Sequence, residues 1–340
     1  MTPVLADAEP LRRYLANAGL VRPDADVRPI GDGHSNVIYL VDDGARRVVV
    51  RRPPPPPHPP GAFDVLREAR IQRALEGTDV AVPRIVAVEE GHATLGVPFY
   101  VMEHLAGHVL TDRTPPILDT AAHRRRIGES LVDTLAALHR VDAVSLGLVD
   151  VDARPRDAGR SLGRLARLLS DEGDELDGRL GVVQRGLVES APSPGTVTLT
   201  HGDFRPGNVM FALESPVRVL AVLDWELAGA GDPLADLGYL LATYARPDEP
   251  LHAITEVGRA TCAEGYPERD ELASRYAAAT GLDTSSVSWH RAAALWKLAV
   301  LFEYQRRRLL AGNGDPFYAD PALSDGLARA AETILEGERV

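Results

Sequence analysis

The stretch from Thr196 to Glu226 limits most strongly what this 340-residue chain folds into. Thr196-Val197-Thr198-Leu199-Thr200 alternates and is rich in β-branched residues, so it reads as a strand that delivers His201 and Asp203 into a loop. Val209-Met210-Phe211 and Val217 to Leu223 read as two further strands, joined by a turn around Glu214-Ser215-Pro216, and the second ends on Asp224. A hairpin of this kind brings Asn208 at its start near Asp224 at its end, offering one amide oxygen and one carboxylate on the same side. That pair suits a hard cation such as Mg²⁺, which takes oxygen ligands and shares them with phosphates. Asp203 precedes Asn208 across a loop containing Pro206 and Gly207, so it can face an acceptor hydroxyl while Asn208 faces the metal. Taken one at a time, each of these residues is otherwise a turn former that bonds its own backbone.

Composition narrows the field. With 45% hydrophobic and 25% charged residues the chain is an ordinary folded protein, long enough for two domains. A net charge of −12 and a pI near 5.3 exclude the basic surface that nucleic acids require. Cys262 is the single cysteine, expected as a small buried apolar residue, so no intrachain disulfide or cysteine zinc site forms. Met1 to Ala8 lacks a basic flank and an apolar core, and no stretch approaches the roughly 18 apolar residues of a membrane span, so a cytoplasmic location without membrane partners is expected. Lys297 is the only lysine; arginine supplies almost all basic charge.

Along the chain, Leu5 to Ala18 has the pattern of a short amphipathic helix, followed by strands over Val27 to Ile30, Asn36 to Val41 and Arg47 to Arg51. Between the first two strands, Gly31-Asp32-Gly33-His34-Ser35-Asn36 combines two glycines with small polar side chains, which lets backbone N–H groups approach a phosphate; a plain β-turn uses the same residues. Arg51 and Arg52 close the third strand on opposite faces. Pro53 to Pro60, interrupted only by His58, is a stiff polyproline-type connector, or a ligand for a partner domain. Phe63 to Leu75 carries a helix with Glu68 as the candidate partner of Arg51, and strands follow over Val82 to Val88 and Val97 to Met102. From Gly107 onward the pattern is largely helical: Thr120 to His139, a segment over 150–192 expected beside a cleft, and Arg291 to Leu310. Asp232 before Pro233 marks a helix N-cap, His139 is expected to pack or cap, and Trp289 and Trp296 are better placed in the core than in an acceptor pocket.

His201-Gly202-Asp203 followed by Asn208 and then Asp224-Trp225-Glu226 resembles the protein-kinase H-R-D-x-x-x-x-N loop with its D-F-G, and is still more similar to the H-G-D-x-x-x-x-N form of the aminoglycoside phosphotransferase family. The resemblance implies an α+β, bilobal protein-kinase-like fold: an N-lobe over 1–103 with a five-stranded antiparallel sheet plus helix, and a mainly helical C-lobe over 104–340. ATP would bind between the lobes with Mg²⁺ on Asn208 and Asp224. Asp203 would orient or deprotonate the acceptor hydroxyl, and Arg205 would stabilise the transferring phosphoryl group. Gly31, Gly33, Ser35 and Asn36 would cradle phosphates, Arg51 with Glu68 would position them, and the main chain around Glu103 and Leu105 would hydrogen-bond the adenine. Asp236 resembles an aspartate that buttresses the catalytic loop.

Two departures stand out. Arg51 occupies the strand position where kinases carry lysine, and Trp225-Glu226 replace Phe-Gly. Val50-Arg51-Arg52-Pro53-Pro54 with Pro98 to Glu103 is similar to the phosphotransferase-like domains related to those fused to some acyl-CoA dehydrogenases, which implies hydroxyacyl-CoA-like acceptors rather than antibiotics. The leading expectation is therefore a small-molecule O-kinase. The alternatives are a nucleotide-binding pseudokinase acting as scaffold or sensor, and a protein kinase, which the lack of an A-P-E segment after Asp224 disfavours.

Overall fold

The computed structural model describes residues 5, 7–31, 36–55, 63–154, 157–170, 176–249, 255 and 258–337. Gly33, Ser35 and most of the proline tract, residues 56–60, lie outside them. The chain divides into two compact units, one formed by Met1–Gly107 with Leu220–Ala228, the other by His108–Val219 with Gly229–Val340.

The first unit is built on one antiparallel sheet. Strands β1 (Asp26–Pro29), β2 (Val37–Asp42), β3 (Arg47–Arg52), β4 (Ile85–Glu89) and β5 (Phe99–Glu103) run in the order β1-β2-β3-β5-β4. The period-2 rule sorts their side chains. Val37, Tyr39 and Val41 of β2, Val48 and Val50 of β3, and Phe99 and Val101 of β5 share one face with helix α1 (Glu9–Asn17). Leu11 and Leu15 of α1 are fully buried there, and burying each contributes about 2 kcal/mol. The other face packs Ile85 and Tyr100 against Val65 and Ala69 of helix α2 (Val65–Leu75). Asp64 caps α2 by accepting from the Arg67 N–H at 3.0 Å. Helix α1 starts at Glu9 rather than at Leu5, because Pro10 fits only the first turn of a helix.

In the second unit a two-stranded ribbon, β7 (Thr198–Thr200) with β10 (Gly229–Gly231), leads the chain into and out of the motif segment. A short strand β6 (Gly107–Val109) follows β5. Strand β8 (Val209–Ala212) ends in a turn closed by the Ala212 N–H bonding the Arg218 carbonyl at 2.9 Å, after which β9 (Val219–Val222) begins, its residues from Leu220 on belonging to the first unit. The remainder is helical: α3 (Ala121–His139), α4 (Ala158–Ala166), α5 (Gly178–Glu189), α6 (Pro233–Thr243), α7 (Arg269–Thr280), α8 (Val287–Leu310) and α9 (Pro321–Gly337). The segment around 150–192 supplies core: Leu162, Ala166, Val183 and Leu187 pack with Trp289 and Trp296 of α8 and Leu327 of α9. Both indoles donate into α5, Trp289 to the Leu187 carbonyl at 2.9 Å and Trp296 to the Leu180 carbonyl at 2.8 Å. Cys262 is half-buried rather than buried, since it sits on a short 3₁₀ turn, Arg259–Cys262, and not within a packed helix. No helix among the described residues is long and apolar enough to cross a membrane.

Candidate active-site groups

Alternation along β3 separates the two arginines. Arg51 turns toward α2, where its Nε lies 2.8 Å from Glu68 Oε2, a close ion pair without hydrogen-bond alignment. Arg52 turns to the α1 face, sits over the Tyr39 ring with its guanidinium carbon 5.9 Å from the centroid, and donates weakly to the Tyr39 hydroxyl at 3.5 Å. Arg51 Nη2 also donates to Asp224 Oδ1 at 2.5 Å and lies 3.8 Å from Glu226 Oε2. Three carboxylates thus face one guanidinium.

The chain folds this way because the segment 220–228 returns to the first unit. The Val222 N–H bonds the Ala81 carbonyl at 2.8 Å, and Arg67 of α2 donates to the Ala228 carbonyl. Asp224 then turns in the left-handed region, with φ of 67°. Few non-glycine residues adopt that conformation, aspartate more readily than most, and the strain it stores is held here by the ion pair and by Trp225, which is fully buried.

Glu68 is 1% exposed. Burial, reinforced by the Asp224 and Glu226 carboxylates and opposed by Arg51, pushes its carboxyl up to about 7. Burial works against the Arg51 charge, yet the Tyr100, Glu68 and Asp224 groups around it raise its pKa above the ordinary value, so Arg51 stays charged. A relay supports the carboxylate: Gln72 donates to the Tyr100 hydroxyl at 3.1 Å, which donates to Glu68 Oε2 at 3.3 Å.

The Asn36 side chain is buried, and its amide donates to Glu68 Oε1 at 3.0 Å and to Glu226 Oε2 at 3.1 Å. Two carboxylates outcompete solvent for both amide hydrogens. Gly31 is exposed with φ of 78°, a conformation that favours glycine. Glu103 ties the end of β5 to the chain before β4, its Oε1 accepting from the Arg84 N–H at 2.9 Å while its own N–H bonds the Arg84 carbonyl at 3.0 Å. Leu105 lies, partly buried, in the link between β5 and β6.

In the second unit the motif loop is braced from within. Asn208 Nδ2 donates to the Asp203 carbonyl and to Asp203 Oδ2, both at 2.8 Å, which fixes the carboxylate and leaves Asn208 Oδ1 as the amide's acceptor atom. Arg205 Nε lies 3.5 Å from Asp203 Oδ2, and its guanidinium covers Gly207, where a Cβ would come within 2.5 Å of Nη1. Below the loop, buried Asp236 of α6 accepts from the His201 N–H at 2.6 Å and the Gly202 N–H at 2.9 Å. Gly202 has φ of 84°, which presents its N–H to the same carboxylate as its neighbour's. His139 Nε2 stands 3.2 Å from Asp236 Oδ2 and so carries the proton, leaving Nδ1 to accept from the Tyr276 hydroxyl at 2.6 Å. His139 therefore packs and positions. Asp232 caps α6, accepting from the Leu234 N–H at 2.9 Å with Pro233 in the first turn.

Sequence reasoning passed over Glu226, Tyr100 and Gln72. A glutamate after Asp224-Trp225 and a polar pair on facing elements were the available signals.

A kinase-like α+β fold carrying an H-G-D-x-x-x-x-N loop and a D-x-E segment defines a phosphotransferase class. The chain belongs to the phosphotransferase enzyme family, whose model matches residues 26–272. Among its relatives, acyl-CoA dehydrogenase family member 11 of Rattus norvegicus is 32% identical over 284 residues, covering 83% of this chain and 36% of the relative. The chain thus spans about a third of the length of the curated relatives it matches first. A Ralstonia eutropha structure provisionally described as an aminoglycoside phosphotransferase is 26% identical with a TM-score of 0.75, over 97% of this chain and 96% of that one. A thermostable mutant of an aminoglycoside phosphotransferase, solved with ADP and hygromycin B, shares the fold at 14% identity and a TM-score of 0.58, over 95% of this chain and 97% of that one.

Proposed function

We propose that the chain uses ATP and Mg²⁺ to phosphorylate a hydroxyl group of a small molecule, with a hydroxyacyl-CoA-like acceptor ahead of an aminoglycoside-like polyol. The observation that carries this reading is the cluster in which buried Glu68 and the partly exposed Asp224 and Glu226 surround Arg51. Three carboxylates against one guanidinium leave an excess of negative charge that a divalent cation offsets, and Asn208 presents an amide oxygen of the same hard donor type. Asn208 and Asp224 would hold Mg²⁺, which supplies charge neutralisation at the β- and γ-phosphates.

The remaining chemistry belongs to the chain's own residues. Arg51, oriented by Glu68, binds and aligns phosphate oxygens. Gly31, Gly33, Ser35 and Asn36 would contribute backbone N–H donors, and the main chain at Glu103 and Leu105 takes the adenine edge. Asp203 receives the acceptor O–H as its oxygen attacks the γ-phosphorus; the bond to the β-γ bridging oxygen breaks, ADP leaves, and the proton passes to Asp203. Asn208 holds that carboxylate still. Such a step needs positioning and electrostatics more than a shifted pKa. Arg205, beside Asp203, offsets charge on the transferring group.

The acceptor preference is supported by the kinship to acyl-CoA dehydrogenase family member 11. Mass spectrometry of a panel of hydroxyacyl-CoA esters and aminoglycosides after incubation with the chain, ATP and Mg²⁺ tests it. A mass gain of one phosphate on the thioesters is expected; gain only on aminoglycosides reverses the preference, and Mg²⁺-ATP binding without any product favours a scaffold.

A further inference from the structure

Glu226 stands where the D-F-G pattern has a residue without a side chain, and its carboxylate accepts from the Asn36 amide. Asn36 is the residue from which β2 departs, immediately after the glycine-rich segment, and it is 5% exposed. One amide bonds two carboxylates far apart in sequence: Glu68 Oε1 on α2 at 3.0 Å and Glu226 Oε2 at 3.1 Å. Asn36 Oδ1 is buried without a hydrogen-bond partner among the described residues, a cost of about 1–3 kcal/mol that the amide bears to keep both hydrogens on the carboxylates. The same Glu226 oxygen lies 3.8 Å from Arg51 Nη2, whose other partners are Asp224 and Glu68.

From this we infer that Glu226 is a positioning residue for the nucleotide: it ties Asn36, and with it the start of β2, to segment 220–228 while Asn36 holds Glu68 of α2, so that Glu68 and Arg51 keep their geometry when Arg51 gives up Asp224 for phosphate. The inference rests on the nucleotide-binding reading above. Arg51 has two competing duties, and an arginine that lets go of Asp224 would leave Glu68 and Glu226 to repel one another across a partly buried space. The Asn36 amide prevents this because it is neutral, donates to both, and does not take part in the exchange. An aspartate at 36 would add a fourth carboxylate; an alanine would leave two carboxylates facing each other.

The test is a double-mutant cycle on the full chain with Asn36→Ala, Glu226→Ala, the double variant and Glu226→Gln, reading Mg²⁺-ATP Kd together with amide exchange at Val37 and Ile38. Each single alanine is expected to weaken nucleotide binding about tenfold, the double variant no more than the worse single, and exchange at Val37 and Ile38 to quicken in all three. Glu226→Gln keeps an oxygen for the Asn36 amide and is expected to restore affinity to within about threefold of the parent. Additive losses, unchanged affinity in Glu226→Ala, or a glutamine variant as weak as the alanine one would overturn the inference. If the parent chain binds no nucleotide, the broader functional reading fails, and the exchange arm still decides whether Glu226 anchors β2: unchanged protection in Glu226→Ala refutes it.

Discussion

Arg51 meets Glu68 and Asp224 through two different nitrogens of one rigid fork, an arrangement that an ammonium cannot reproduce. Arg51→Lys is therefore expected to keep the fold but lower Mg²⁺-nucleotide affinity about tenfold, as measured by calorimetry; full affinity in that variant would show that the fork is dispensable. Arg51→Met, which leaves Glu68 and Asp224 without their cation, is expected to lower stability by about 3–5 kcal/mol in urea titrations. The Arg51–Glu68 pairing was legible in the sequence, because a β-branched strand ending in arginine and a helix glutamate after it have a known relation. The Asn36–Glu226 bond was not, since it joins residues 190 apart and depends on segment 220–228 packing into the first unit. The left-handed turn at Asp224 was equally hidden, as nothing in the composition of Leu223-Asp224-Trp225 demands a positive φ.

At the level of elements, helix α6 is the support of the motif loop. Burial opposes ionisation of Asp236, but the hydrogen bonds from His139 and the His201 N–H, with the two imidazoles close by, outweigh it and hold the carboxyl below the usual range. A folded pKa below the unfolded one gives a stabilisation that is fully present above the ordinary carboxylate value of about 4 and is lost as pH falls through the folded value. Stability of the parent chain should thus drop more steeply below about pH 4 than that of Asp236→Asn, which urea midpoints across pH would reveal. The same helix meets α8 closely: a Cβ on Gly238 would lie 2.6 Å from the His290 carbonyl carbon and 2.8 Å from the Arg291 nitrogen. Since backbone cannot swing aside, Gly238→Ala is expected to cost about 1–3 kcal/mol in thermal or urea unfolding, and an unchanged midpoint would contradict this packing. The sequence announced α6 through Asp232-Pro233 and its role through Asp236. The His139–Asp236–Tyr276 chain joins three helices and became visible only in three dimensions.

For the molecule as a whole, the sheet and the motif loop were readable because their signals are local: alternation, a proline at a helix start, fixed spacings. Strand pleat sends Arg51 to the α2 face and Arg52 to the α1 face, once β3 lies between β2 and β5. The acceptor is less legible, because the helices that follow the motif carry apolar periodicity and few constrained polar residues, and that pattern specifies a core rather than a ligand. The central claim is that Asp203 serves the acceptor hydroxyl and not the nucleotide. It is tested most directly by incubating parent and Asp203→Asn chains with γ-labelled ATP, Mg²⁺ and an extracted metabolite pool, with nucleotide binding followed in parallel. A labelled small-molecule product from the parent is expected, with a loss of about 10²–10⁴-fold in the variant and nucleotide affinity within about twofold; undiminished transfer by Asp203→Asn would contradict this role for Asp203.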